Sequence, residues 1–246
     1  MIKLEDIFNI KKGDIISVTG SGGKTSLLYT IARELRNKYR VLVSTSAKIS
    51  VPPEEEYDYI YTSAPDYVND KSKSSENGVT IVAGEIDKDR NKIIGINDEE
   101  LNYLHKCFDI ILLEADGSRR MPLKGWKRHE PPILVKTNKV IGIIPVDVVN
   151  SEVSKDIIYG FDEFRAMTDY SRYVDFEAVG KICSNENGLF KNSRGKLYLY
   201  LNKVDTEEEI ILARDLIAYL KTKIAGNPFD FKICAGSLKK GVYYEC

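Results

Sequence analysis

Six stretches of this 246-residue chain are apolar without alternating: DIISV (14–18), RVLVST (40–45), DIILLEADG (109–117), KVIGIIPV (139–146), KLYLYLNKVD (196–205) and FKICAG (231–236). A strand with one wet face alternates apolar and polar residues, so continuous runs describe strands covered on both faces. Helical patterns lie between them. Leu27, Leu28, Ile31, Ala32 and Leu35 recur at helical spacing after the first run, and Ile210, Ala213, Ile217, Leu220 and Ile224 form one stripe after the fifth. Asn97 with Glu100, and Thr206 with Glu209, have the spacing of capping boxes. This order predicts an α/β fold with a mostly parallel sheet and helices on both faces.

No repeat or linker divides the chain, so one domain over residues 1–246 is expected. VTIVAG (79–84) and KIIGI (92–96) read as a hairpin across DKDRN. Residues 52–78, with three prolines, four tyrosines and a Ser/Lys run, read as a polar excursion. Residues 150–194 are the least regular and read as a small helical cap on the sheet.

Lys+Arg (36) nearly balances Asp+Glu (37), which gives no overall pull toward nucleic acid or an anionic membrane. No run approaches the ~20 apolar residues of a membrane span, and the N-terminus lacks the apolar core of a signal peptide. Cys107, Cys183, Cys234 and Cys246 are scattered without a C-x-x-C pair, and only His105 and His129 are present, so a zinc site is not expected. The chain reads as a reduced, cytoplasmic protein.

The first apolar run ends in TGSGGKTS (19–26), directly before the first helical pattern. A glycine loop between strand and helix lets backbone N–H groups converge on an anion, and the helix adds its positive end. Gly20, Ser21, Gly22, Gly23, Lys24, Thr25 and Ser26 are the candidate phosphate cradle, with Lys24 for the β/γ-phosphates and Thr25 for Mg²⁺. Val18 stands where the longer G-x-x-x-x-G-K-[ST] pattern has its first glycine, so the loop reads G-x-x-G-K-T from Gly20. Mur-type ligases resemble this shortened form. A glycine turn that binds nothing is the bland alternative.

Two further strand ends carry candidate groups. IILLEADG closes on Glu114 and Asp116, two apart and so on one side of the backbone. An acid beside a phosphate loop holds Mg²⁺. Asp116 is assigned to the metal, while Glu114 is the candidate catalytic base. In YLYLNKVD, Asn202, Lys203 and Asp205 resemble the guanine-recognition motif of GTPases, which points to GTP; ATP stays open. Between these, ADGSRRMPLKGWKRHEPPIL (115–134) concentrates Arg119, Arg120, Lys124, Lys127 and Arg128 around Trp126 and His129. It reads as a site for an anionic second ligand or a partner, or as a solvated basic loop.

Taken in order, GSGGKTS, LEADGSRRMPLKG, HEP, LNKVD and a terminal GSL resemble the YqeC family over almost the whole chain. VSTSAK (43–48) matches a Thr-rich strand end of that family through Thr45 and Lys48. The tyrosine-rich excursion and Arg120 depart from the pattern. The resemblance implies an accessory protein that matures or inserts the cofactor of selenium-dependent molybdenum hydroxylases, working with other maturation proteins. Combined with the residue chemistry, it gives the expectation of a Mg²⁺-dependent, GTP- or ATP-hydrolysing maturation factor. A ligase or kinase acting on a small anionic substrate, and a nucleotide-gated binding module without turnover, remain open alternatives.

Overall fold

In the computed structural model, which describes residues 2–70, 76–87, 92–224 and 230–245, a short helix α1 (Leu4–Ile7) precedes β1 (Ile15–Gly20) and α2 (Lys24–Leu35). The chain continues through β2 (Arg40–Thr45), β3 (Lys48–Ser50), β4 (Tyr59–Tyr61), α3 (Ala64–Asn69), β5 (Gly78–Val82), β6 (Glu85–Asp87) and β7 (Lys92–Ile94). Then come α4 (Asp98–Leu104), β8 (Ile110–Glu114), β9 (Leu123–Lys124), β10 (Lys139–Pro145), β11 (Ile158–Tyr159), α5 (Phe161–Met167) and α6 (Phe176–Ser184). β12 (Lys196–Asn202), α7 (Glu207–Ile224), β13 (Phe231–Ser237) and β14 (Val242–Glu245) complete it.

Nine strands form one sheet in the order β14-β13-β12-β10-β1-β8-β2-β5-β4. Every neighbouring pair is parallel except β13 and β14, so this is a mostly parallel α/β fold. The non-alternating runs follow from cover on both faces. Ile16, Val18, Val41, Val43, Leu112 and Ile143 pack with residues of α1 and α2. Their sequence neighbours Ile15, Leu42, Ile111 and Leu113 point the other way, toward Tyr67, Leu101 and Leu104 of α3 and α4. Farther along that second face, Val140, Ile144, Leu199 and Leu201 meet Val179 and Ile182 of α6 and Leu216 and Leu220 of α7. Each such side chain contributes about 1.5–3 kcal/mol on full burial. Among the described residues no helix is long and apolar enough to cross a membrane.

Three local expectations change. VTIVAG and KIIGI do not pair as a hairpin. Residues 78–82 enter the main sheet beside β2, and β7 instead pairs with β6 and β3 in a separate three-stranded sheet. The apolar run at 79–83 has no polar face to offer a two-stranded ribbon, which is why the core claims it. Most of the intervening turn, residues 88–91, lies outside the described residues. The stretch 52–78 is not wholly an excursion, since Tyr59–Tyr61 adds the edge strand β4 and Tyr67 of α3 is buried against Phe108; the Ser/Lys run at 71–75 is outside the described residues. The segment 150–194 does carry helices, α5 and α6, and β11 pairs with β9. Both capping boxes form: Asn97 accepts from Glu99 N and Glu100 N, and Glu209 accepts from Thr206 N.

From β1 the chain passes β8 to reach β2, returns to β8, and then crosses β1 to reach β10. Such a reversal of strand order opens a crevice at the carboxyl ends of the strands. At the opposite end, Asp109 ties three strand entries together. Its carboxylate accepts from Arg40 N at 3.0 Å, Arg40 Nη2 at 3.0 Å and Lys12 Nζ at 2.9 Å. The Arg40 side chain, helped by Lys12 and opposed by burial, holds the Asp109 carboxyl far below the usual carboxylate range. A depressed folded pKa contributes stability that is present above the unfolded value of about 4 and is lost as pH falls through the folded one. Asp109→Asn is therefore expected to cost about 1–3 kcal/mol at neutral pH. In denaturant titrations repeated down to pH 2, the gap between wild type and variant should narrow as the medium becomes acid; a pH-independent gap would assign the cost to packing instead.

Candidate functional site

The loop closing β1 is shaped by its glycines. Gly22 has φ +79° and a Cβ there would lie 2.4 Å from Pro145 Cγ; Gly23 has φ +136° and its Cβ would meet Asn202 Nδ2 at 2.4 Å. Neither position admits a side chain, by conformation or by space. Gly23 is also the N-cap of α2 and supplies no capping side chain, and the first turn carries no acid. The leading N–H groups of a helix have no intrahelical partner, so this end is left open for an anion. Gly22, Gly23, Lys24, Thr25 and Ser26 all line a cleft of about 1180 Å³ at the carboxyl edge of the sheet. Ser21 does not belong to the lining; its hydroxyl donates to Pro122 O at 2.9 Å and so braces the loop from behind.

Lys24 is 4% exposed. Its Nζ donates to Gly20 O at 2.6 Å and stands 3.4 Å from Asp116 Oδ1. The Thr25 hydroxyl donates to Glu114 Oε2 at 2.7 Å. Burial pushes the Glu114 carboxyl above the usual carboxylate range, with Lys24 and Thr25 opposing and the Asp116 charge adding. Glu114 lines the cleft and Asp116 does not.

The two acids differ in their surroundings. Asp116 is tied down through Oδ2, which accepts from Trp126 Nε1 at 2.9 Å, Thr19 Oγ1 at 3.1 Å and Gly20 N at 3.4 Å, with Lys124 Nζ at 3.0 Å; its Oδ1 is buried without a hydrogen-bond partner, 3.4 Å from Lys24 Nζ. Its side chain is fully covered, and it does not line the cleft. The acid beside Thr25 is Glu114.

The basic loop divides in the same way. Lys124 is 0% exposed, donating to Gly117 O at 2.9 Å and pairing with Asp116 and Glu130. Trp126 is buried. These two side chains therefore anchor the loop to the sheet and do not present it to a ligand. The 150–194 segment fastens the same loop, through Leu123 N to Ile157 O at 3.0 Å and Gly125 N to Tyr159 O at 2.7 Å. Arg119 and Arg120 remain exposed on the cleft, in consecutive left-handed conformations at φ 51° and 64°. His129 is exposed and outside the cleft lining.

At the far end of the cleft, β12 delivers Asn202, Lys203 and Asp205. Asn202 is a strut: Nδ2 donates to Gly22 O at 2.8 Å and Oδ1 accepts from Leu238 N at 3.3 Å. Lys203 pairs with Asp147 at 2.8 Å. Asp205 Oδ1 is buried without a hydrogen-bond partner, an acceptor left over after the chain has folded. Arg33, Lys92 and Lys239 also line the cleft, and so does Lys48. Nothing in the linear sequence signalled Arg33, Lys92 or Lys239, which come from an exposed helix face, a short outlying strand and the turn before β14.

The YqeC protein family profile matches residues 16–162, more than half of the chain. The chain belongs to the YqeC family. An Escherichia coli (strain K12) protein described as uncharacterized protein YqeC is similar, at 29% identity over 188 residues that cover 74% of this chain and 72% of that protein. The matched span of the profile takes in the glycine loop, both acids and the 115–134 loop, while Asn202 to Asp205 lie beyond it.

Asp116→Ala takes a buried acceptor from Lys124, Lys24 and Trp126 and leaves Lys124 only Glu130 and Gly117 O, so it should lower stability by about 3–5 kcal/mol, the usual cost of breaking a buried charge pair. Trp126 is the only tryptophan, so its emission should shift to the red in the folded variant as the indole loses its acceptor. Wild-type stability and emission in Asp116→Ala would return this residue to the list of free ligands.

Proposed function

We propose that this YqeC-family protein binds a guanine nucleoside triphosphate with Mg²⁺ and hydrolyses it, as an accessory factor in maturing the cofactor of a selenium-dependent molybdenum hydroxylase. The observation that carries the nucleotide part is the Thr25–Glu114 contact, set beside Lys24 at the glycine-loop end of α2. A hydroxyl and a carboxylate are hard oxygen donors of the kind Mg²⁺ takes, together with phosphate oxygens and water. Thr25 and Glu114 would hold the ion, which when bound neutralises charge on the phosphates. Lys24 binds and orients the terminal phosphates, and the free N–H groups of α2 receive their oxygens. The leftover acceptor on Asp205 suits a base that offers N–H donors, which guanine does on its Watson–Crick edge. Asn202 supports this end indirectly by tying the phosphate loop to the turn after β13. The link to selenium-dependent hydroxylases is supported by the family resemblance rather than by any group in the cleft.

Calorimetry with GTP and ATP, with and without Mg²⁺, tests the nucleotide reading. GTP should bind in preference to ATP, and Lys24→Ala should weaken triphosphate binding by about 2–4 kcal/mol. Asp205→Ala should remove the preference between bases, because the acceptor that discriminates is gone. Equal binding of both nucleotides by the wild type would reduce Asp205 to a helix-boundary residue, and unchanged affinity in folded Lys24→Ala would remove the nucleotide reading altogether.

Glu114→Gln separates the two acids. It keeps the size of the side chain and loses the charge, so the Mg²⁺ dependence of triphosphate binding should largely disappear while the protein stays folded. Normal Mg²⁺ dependence in this variant would place the metal elsewhere. For the cellular role, deletion in a host that makes a selenium-dependent molybdenum hydroxylase should leave that hydroxylase inactive, with Lys24→Ala unable to restore it.

A further inference from the structure

We infer that the half of the cleft on the β2 side is a second anion site, which takes a phosphate-bearing small molecule alongside the nucleotide; the inference rests on the nucleotide reading above. Along the sheet edge, β12 and its Asp205 lie on one side of the glycine loop, and β8 and β2 lie on the other. A nucleotide stretched from Asp205 to Thr25 occupies the first side. The second is walled by the small sheet of β3 and β7, reached directly from the end of β2.

Register places the charges on that wall. Lys48 stands opposite Ile94, Ile49 opposite Ile93, and Ser50 opposite Lys92. Ile49 and Ile93 are buried in the main core, so alternation turns Lys48, Ser50 and Lys92 to the other face, and all three line the cleft. Lys48 and Lys92 are thus diagonal neighbours on one face, about 7–8 Å apart at the backbone. Asp87 of β6 stands opposite Lys92 in the register. Arg119 and Arg120 line the same cleft from the loop that follows Glu114.

Among the described residues, none of Lys48, Lys92, Arg119 and Arg120 is part of an ion pair. Among the described residues the acids lining the cleft are Glu114, which is taken by Thr25, and Asp205 at the far end. Like charges gathered on facing walls repel unless an anion sits between them. Lysines as point charges and arginines as forks are the usual donors to phosphate oxygens. The cleft has room for two occupants, since its 1180 Å³ exceeds the roughly 300–1,000 Å³ of a single-ligand pocket. Positions 48 and 92 come from short strands with no motif of their own, which is why they add a site that the basic loop alone does not define.

The test uses inorganic pyrophosphate as the probe, titrated calorimetrically into the full chain saturated with a non-hydrolysable GTP analogue and Mg²⁺. One pyrophosphate should bind per loaded chain. The double variant Lys48→Glu/Lys92→Glu should weaken that binding about tenfold or more, while its affinity for the analogue stays within about twofold of wild type. The milder Lys48→Ala/Lys92→Ala pair covers the case in which charge reversal perturbs the small sheet, and it should show a smaller loss in the same direction. No binding of pyrophosphate to the loaded chain, displacement of the analogue by it, or equal binding by wild type and both variants would overturn the second site. If the analogue itself fails to bind wild type, the nucleotide reading has failed separately. Pyrophosphate titrated into the unloaded chain and the same variants then decides the subsite alone: loss on reversal upholds it and unchanged affinity overturns it.

Discussion

A single carboxylate under the glycine loop organises this molecule. Asp116 is covered completely, and moving a carboxylate out of water costs several kcal/mol unless donors replace the lost hydration. Here Trp126, Thr19, Gly20 N and two lysines, Lys24 and Lys124, converge on it. The donors come from three parts of the site: the end of β1, the start of α2, and the stretch after β8. The carboxylate thus fixes how the phosphate loop sits against the basic loop. An ion pair of this kind adds little net stability compared with apolar packing, but it rejects other arrangements strongly, because any register that separates Asp116 from its donors leaves charges buried alone. The same contact sets a condition on ligand binding. Lys24 is already satisfied by Gly20 O and Asp116, so an incoming phosphate has to offer a better field than two existing acceptors. A polyphosphate, with several negative oxygens close to one helix end, offers it; a lone neutral ligand does not.

The parallel sheet supplies the rest of the geometry. Parallel strands bring all their carboxyl ends to one edge, and the reversal of strand order at β1 keeps neighbouring loops from closing over each other there. Glu114, Asp116, Asn202 and the glycine loop are therefore neighbours although up to 180 residues separate them, as in the Asn202–Gly22 hydrogen bond. The segment between β10 and β12 has a positioning role in this scheme. It pairs β11 with β9 and so holds the loop carrying Arg119 and Arg120 from outside the sheet.

Much of this was legible in the residues. Strands buried on both faces announce themselves by continuous apolar runs, and a glycine loop followed by Lys-Thr needs no tertiary information to be noticed. Two kinds of error share one cause. Lys124 and Trp126 looked like part of a solvated basic loop because sequence shows a residue's type and not its cover; the Asp116 carboxylate that buries them is eight and ten residues away on another element. A spacing of two puts Glu114 and Asp116 on the same side of an extended strand. The strand ends at Glu114, however, and beyond it the chain turns so that Asp116 points beneath β1. The hairpin was misplaced for a related reason: two apolar strands with a polar turn satisfy the local pattern, while the vacancy beside β2 that takes β5 exists only in the assembled sheet.

Charge shows the same limit from the other direction. A formal net charge of −1 gives no hint of an anion-binding protein. Yet among the described residues eight that line the cleft are Lys or Arg and two are acidic. The acids that balance the chain are largely elsewhere, in exposed first turns such as Glu54–Glu56, Asp98–Glu100 and Glu207–Glu209. Placed there, they stabilise helix starts. Lys24, Arg33 and Lys203 are paired with Asp116, Glu56 and Asp147, and a low-dielectric wall focuses the charge of the other basic side chains into the cleft. Screening acts within about 8–10 Å at physiological salt, so acids on distant surfaces do little to cancel this field. The positive lining of the cleft is a property of where the fold sends each charge, and the total over the chain does not report it.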